Sequence, residues 1–400
     1  MASPARRPLA ILGASPTFQT PLHVGRPNIG DRDRFLATLA QTFDDRWFTN
    51  DGPLVRAFEA AIATEVGARR CVALANGTLG LQLLVRALAL SGEVIVPSFT
   101  FISTATALSW EGLTPVFCDV DPQTHMIDAN HAESLLSERT SAILGVHLWG
   151  GLCDSGALEA LAQRSGVPLI FDGAHALGAK REGCGPGSFG QATMLSFHAT
   201  KIVNAFEGGA IVTDDEELAD RLALMRNFGF TGPDSVVTLG INAKMNEASA
   251  AMGLNTLADL QDTIVLNSDR HAHYRAAFDG FAHLRLIAEP PPQVASNHHY
   301  LVAEVSQAGP LNRDQLQAVL EAEGVLARRY FYPGCHRSAP YAGETRTAPL
   351  PATEALCDRI LQFPTGPTVT HDDVAGIAEI VEAAFAQHGA VAGILEKKAT

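Results

Sequence analysis

Cysteine pairs at metal or redox spacing are missing from this 400-residue chain. The six cysteines, Cys71, Cys118, Cys153, Cys184, Cys335 and Cys357, are scattered and make no C-x-x-C. This argues against a zinc site or a disulfide frame, and reduced thiols in the cytoplasm are expected. Positive charge is scarce as well: 29 Lys and Arg stand against 43 Asp and Glu, a net charge of −14. Nucleic acid and anionic membranes are therefore excluded as expected partners, while a phosphorylated ligand would need a local cluster of arginines. No run of about 18 apolar residues occurs, which argues against a membrane span. The basic start from Met1 to Arg7 leads into no apolar segment, which argues against secretion. No G-x-G-x-x-G follows an early strand, so a nicotinamide Rossmann enzyme is not supported. His271/His273 and His298/His299 lack a third ligand at useful spacing, and no metal is expected.

What is present is a large apolar fraction, 46% of residues, with only 18% charged. That suffices for one large or two ordinary domains with a sizeable core. Residues 1–25 are rich in Pro, Ser and Thr without a period, and read as an N-terminal arm. Asp31 is placed to cap a helix, and a second helix is expected from Pro53. Short apolar strands then alternate with helices: 71–74, 93–97, 115–118, 142–146 and 167–171, with helices at 79–90, 100–110, 129–137 and 155–164. Such units imply a parallel sheet covered on both faces. A strand at 207–213 and a helix capped by Asp214 follow, then a long helix from Asn246 toward Phe278. The break near residue 265 divides the chain into a large domain, 26–265, and a small one, 266–400.

Several segments can carry chemistry. Lys201 lies in Ser196-Phe197-His198-Ala199-Thr200-Lys201, followed closely by Gly208-Gly209. The apolar run Val167 to Phe171 ends in Asp172, with Ala174-His175 beyond. An acid at the tip of a buried strand and a lysine among small residues suit pyridoxal 5′-phosphate (PLP). The lysine can hold its aldehyde as a Schiff base, and the acid can keep its pyridine nitrogen protonated. Phe197 and Phe206 would desolvate the amine and lower its pKa. Asn76-Gly77-Thr78 joins a strand to a helix, where backbone N–H groups suit a phosphate, although a plain helix cap reads the same way. Asp172 can equally be a cap or half of a salt bridge, and His175 can be structural. Of the two rings in Pro97-Ser98-Phe99-Thr100-Phe101, Phe99 reads as core. The polar stretch from Asn242 to Glu247 and the loop from Arg328 to Arg337 can serve a site or simply face solvent.

Taken in order, Asn76-Gly77-Thr78, Pro97 to Phe101, Asp172-Gly173-Ala174-His175, Ser196 to Lys201, Glu207-Gly208-Gly209 and Asn242 to Glu247 resemble the DegT/DnrJ/StrS sugar aminotransferases. The resemblance covers roughly residues 20–385. It implies the fold-type-I α/β architecture of PLP-dependent transferases: a large domain with a mostly parallel sheet flanked by helices, plus a smaller C-terminal α/β domain. It also implies roles. Lys201 would anchor the cofactor and shuttle the proton, Asp172 would pair with the pyridine nitrogen, and His175 would sit near O3′. Gly77, Thr78 and Ser196 would receive the phosphate, Phe101 would stack over the ring, and Asn242 would reach the phosphate of the neighbouring subunit in a homodimer. Gly173 stands where the family usually has alanine, a change expected to cost little. A branch of the family has histidine in place of the lysine and dehydrates sugars, so Lys201 implies transamination. The loop carrying Arg328, Arg329, Tyr330, Tyr332 and His336 looks like versions acting on dTDP-4-keto-6-deoxyhexoses. The implied reaction converts dTDP-4-keto-6-deoxy-D-glucose to dTDP-4-amino-4,6-dideoxy-D-glucose, with L-glutamate giving the amine and leaving as 2-oxoglutarate. Alternatives are 3-amination of a related keto-sugar, amination of a keto-cyclitol, and a PLP-binding sensor without turnover.

Overall fold

The computed structural model describes residues 7–343 and 348–399. The basic opening, residues 1–6, lies outside the described residues. A seven-stranded sheet forms the centre, in the order Arg70–Leu74, Gly209–Thr213, Ala192–Ser196, Leu169–Asp172, Thr140–Val146, Glu93–Pro97, Thr114–Cys118. The last five run parallel to one another. Gly209–Thr213 is antiparallel to both its neighbours. Every residue of Glu93–Pro97, Leu169–Asp172 and Gly209–Thr213 is buried, because helices cover both faces. That double cover is why these strands are almost wholly apolar in sequence.

Helix starts depart from the expected positions by one or two residues, and the departures matter for the pocket. The helix after the first strand begins at Gly77, not Leu79, since the Asn76 side chain accepts from Leu79 N at 2.9 Å. The helix at Ile102–Trp110 starts after Phe101, which leaves Thr100 outside it. Asp215, rather than Asp214, caps Glu216–Met225, while Asp214 accepts from Arg69 N at 2.8 Å.

Residue 265 lies inside the continuous helix Leu260–Phe278, so no linker separates the two halves there. This helix follows Glu247–Ala258 after a break at Asp259. Its first turn packs Leu260 with Phe197 and Val55, and its end packs Tyr274 and Phe278 into a second core. That core lies on the antiparallel sheet Leu284–Leu286, Leu301–Val305, Ile360–Phe363, covered by helices Arg313–Ala322 and His371–Ala386.

The described part of the expected arm is packed against this second core. Leu9 is buried in it, and Leu22–His23 pairs in parallel with Val325–Leu326. The fully buried carboxylate of Glu323 accepts from Ala10 N at 2.6 Å, Thr17 N at 2.9 Å and Thr17 Oγ1 at 2.6 Å. An aperiodic Pro/Ser/Thr segment offers free N–H and hydroxyl donors, and one distant buried acid collects them.

Candidate active site

The parallel strand Leu169–Asp172 delivers Asp172 at its carboxyl end, the usual ligand edge of such sheets. Asp172 is only 3% exposed. Its Oδ1 accepts from Ala174 N at 3.0 Å and its Oδ2 from Thr104 Oγ1 at 2.8 Å. Thr100 Oγ1 stands 3.0 Å from Thr104 Oγ1, so the two hydroxyls form a short chain behind the carboxylate. Burial raises the Asp172 pKa, opposed by the Ala174 N–H, the Thr104 hydroxyl and the charge of Lys201.

Lys201 follows a tight turn closed by its own N–H to His198 O at 2.8 Å. Burial pulls its amine down to about 8, with Asp172 acting the other way. The cover is not what the flanking rings suggested. Phe197 points into the core against Phe58, and Phe206 is 47% exposed. Tyr300 stands nearer: Lys201 Nζ donates to its hydroxyl at 3.2 Å. The His175 ring stacks on Tyr300 with centroids 3.9 Å apart. Burial first, then Lys201 and His299, hold His175 well below the ordinary imidazole range, so it is neutral. Its Nδ1 is buried without a hydrogen-bond partner.

Beside these groups lies a backbone cradle. The helix Gly77–Ala87 points its N-terminus into the cavity, with Thr78 on its first turn and Ser196 facing it. A Cβ on Gly77 would lie 2.7 Å from Met194 Sδ. One on Gly209 would lie 2.5 Å from the Asn76 carbonyl carbon. Side chains are excluded there because strand and turn approach so closely. At Gly173 an added Cβ would fall 2.7 Å from Thr193 Cγ2 and 3.0 Å from Met194 O, so glycine suits this backbone.

One cavity of about 250 Å³ gathers Gly77, Thr78, Phe101, Asp172, His175, Ser196, Lys201, Arg328 and Tyr330. Phe101 is 53% exposed to it, whereas Phe99 is core. Arg329, Tyr332, His336 and Asn242 are not brought there. Arg328 pairs its backbone with Gln362, and the chain turns at 330–333, which leaves Arg328, Tyr330 and Phe331 lining the cavity. Arg329 reaches Asp314 at 3.0 Å, and its guanidinium sits 4.8 Å from the Tyr332 ring centroid. His336 is tied to Ser98 Oγ at 2.6 Å and Glu354 at 3.5 Å. Asn242 is exposed, bridged to Asn227.

Sequence reasoning missed Arg26, Thr104, His299 and Tyr300. Arg26, His299 and Tyr300 line the cavity, and Thr104 backs Asp172. Tyr300 follows two histidines that had been read only for metal. In space the histidine pairs separate: His271 meets His298 and Glu289, while His273 meets Asp269 and His371. Arg275 already binds Glu289, and Arg270 binds Asp269, so a cation is in place at each carboxylate.

Residues 30–382 match the DegT/DnrJ/EryC1/StrS aminotransferase family, and the chain belongs to it. It is a PLP-dependent aminotransferase of fold type I. The crystal structure of DesI with its TDP-sugar product is similar: 45% identical, TM-score 0.92, covering 96% of this chain and 98% of that one. The dTDP-4-amino-4,6-dideoxy-D-glucose transaminase of Shigella dysenteriae is 31% identical, over 89% of this chain and 96% of its own. A UDP-N-acetyl-3-dehydro-alpha-D-glucosamine 3-aminotransferase of Acidithiobacillus ferrooxidans is 34% identical, over 88% and 93%. The residues present fit the cofactor. A glycine-lined helix N-terminus suits its phosphate, a buried acid suits its ring nitrogen, and the unpartnered His175 Nδ1 suits a further polar atom.

Proposed function

We propose that the chain transfers the amino group of L-glutamate to C4 of a dTDP-linked 4-keto-6-deoxyhexose, giving dTDP-4-amino-4,6-dideoxy-D-glucose. The observation that carries this is the meeting of Lys201, Asp172, His175 and the Gly77–Thr78 cradle in one cavity with Arg26 and Arg328 at its rim. When bound, PLP supplies an aldehyde that condenses with amines and a ring that draws electrons from the attached carbon. Lys201 would anchor it, and its amine, lowered to about 8 by burial, would accept and return the proton of the 1,3-transfer. Ionised Asp172 holds the proton on the ring nitrogen, with Thr104 and Ala174 fixing the carboxylate's orientation. Neutral His175 offers a hydrogen bond at O3′. Thr78, Ser196 and the helix N-terminus bind the phosphate, and Phe101 covers one ring face. Arg26 and Arg328 provide the local positive charge that a nucleotide diphosphate requires.

The active unit is a homodimer. Leu36, Phe43, Phe228, Val237 and Ile241 are exposed beyond what a monomer's surface favours. Phe228 and Ile241 adjoin Asn242, which would serve the neighbouring subunit's phosphate site. No helix among the described residues is long and apolar enough to cross a membrane, and the cysteines are free, in keeping with a cytoplasmic enzyme. The test is an absorbance spectrum of purified protein with PLP, before and after L-glutamate. A band near ~410–420 nm that moves toward ~330 nm supports the cofactor roles. Product formation from the 4-keto sugar, with the 3-keto isomer untouched, supports the substrate. The reverse preference would favour 3-amination, the activity in the name of the Acidithiobacillus relative.

A further inference from the structure

We propose that Tyr300 is a further catalytic residue: its hydroxyl receives the Lys201 amine whenever that amine is free, and orients it for the next proton transfer. This rests on Lys201 being the reacting lysine, as above. Amino transfer in two halves releases the lysine in each cycle, and a free amine in a buried site needs a hydrogen-bond partner. The structure places one at 3.2 Å, on a tyrosine only 6% exposed.

The phenol is held in a ring cluster. His175 stacks on it with centroids 3.9 Å apart, and Trp149 packs beside both, 6.0 Å from Tyr300 and 5.9 Å from His175. The Tyr300 backbone is fixed one residue earlier. Asn297 donates to His175 O at 3.0 Å and Leu177 O at 2.9 Å, and accepts from His299 N at 3.0 Å. That clamp locks the turn carrying His175 to the segment carrying Tyr300. Burial lifts the Tyr300 phenol well above its ordinary value, so it keeps its proton. A protonated phenol oxygen accepts from the ammonium form of Lys201 and donates to its neutral form. It therefore holds Nζ in both protonation states without exchanging a net proton.

Tyr300→Phe keeps the ring and removes the hydroxyl, and Tyr300→Leu removes both. In cofactor-free protein, acetylation of Lys201 is followed against pH by peptide mass spectrometry. Wild type is expected to label with a midpoint below that of an ordinary lysine, since burial lowers the amine to about 8. Without its oxygen acceptor the buried ammonium is less stable, so the midpoint in Tyr300→Phe moves to lower pH. With PLP bound, the glutamate half-reaction slows about tenfold although more amine is neutral, because orientation is lost. Tyr300→Leu is equally slow if the hydroxyl is what matters. A wild-type midpoint and rate in Tyr300→Phe, with only Tyr300→Leu impaired, overturns the proposal: the ring would then be packing alone. If Tyr300→Phe binds PLP poorly, the labelling midpoint still decides. A shifted midpoint in a protein whose wild type forms no cofactor band would instead sink the cofactor roles and leave the Lys201–Tyr300 contact standing.

Discussion

Replacing Asp172 by asparagine separates the site's electrostatics from its architecture. The amide fits the same space. Its oxygen can keep the Ala174 N–H, and its NH2 can donate to Thr104 Oγ1, whose own hydroxyl then donates to Thr100 Oγ1 at 3.0 Å. The local hydrogen bonds survive, and what disappears is the charge. A hydrogen bond to a charged group contributes about 1.5–3 kcal/mol, and breaking a fully buried charge pair costs about 3–5 kcal/mol. Asp172 is 3% exposed, so the larger figures apply, and the glutamate half-reaction is expected to slow by about 10²–10⁴-fold. Stability should move the other way. Burial raises this carboxyl's pKa in the cofactor-free protein, so its ionisation opposes folding at every pH above the unfolded-state value. Cofactor-free Asp172→Asn should therefore melt at the wild-type temperature or above it at pH 7. In wild type with cofactor bound, activity should fall at the pH where Asp172 takes up a proton, because the protonated acid no longer favours a charged ring nitrogen. Stopped-flow absorbance and differential scanning calorimetry read the two effects. A half-reaction within threefold of wild type would refute the role of the charge.

Lys201→Ala should remove both the ~410–420 nm band and all amino transfer, measured by absorbance and product chromatography. Gly173→Ala should cost about 1–3 kcal/mol in urea unfolding through overpacking on Thr193, and Thr193→Ser in the same chain should recover most of it. Arg328→Gln should raise KM for the nucleotide sugar about tenfold and leave the glutamate half-reaction unchanged, while Arg329→Gln, held outward by Asp314, should alter neither by more than about twofold. Glu323→Ala strands the Ala10 and Thr17 donors and should lower stability by about 3 kcal/mol in thermal unfolding.

The sheet was legible because its strands are buried on both faces and therefore read as unbroken apolar runs. Asp172 was legible because a charged residue at the end of such a run has few reasons to be there, and Lys201 because small residues and glycines frame it. The cradle was visible through Asn76-Gly77-Thr78 and Gly208-Gly209, whose spacing reflects backbones in contact. What stayed hidden depends on distant partners. Nothing near Thr104 announces that it faces a carboxylate 68 positions away. Arg26 lay in a segment without period, and Tyr300 stood behind histidines that drew attention to metals. The loop after Arg328 shows the opposite failure: read as one polar cluster, it was credited whole. The turn at 330–333 leaves Arg328 and Tyr330 on the cavity, while Arg329 is drawn to Asp314 and lies against Tyr332. His336 is taken by Ser98, a contact between residues 238 positions apart.

The cavity wall uses both ends of the chain: Arg26 near the start, and Gln362 to Pro367 near the finish. The segment leading to Arg26 is fastened by Glu323, itself late in the sequence. During synthesis the sheet with Asp172 and Lys201 can form early, yet the cavity stays open on one side until the last strand has emerged. A nascent chain thus exposes its lysine before it can enclose a ligand. Tight retention of PLP becomes a mark of completed synthesis, and chains cut short before residue 362 should bind it weakly and release it.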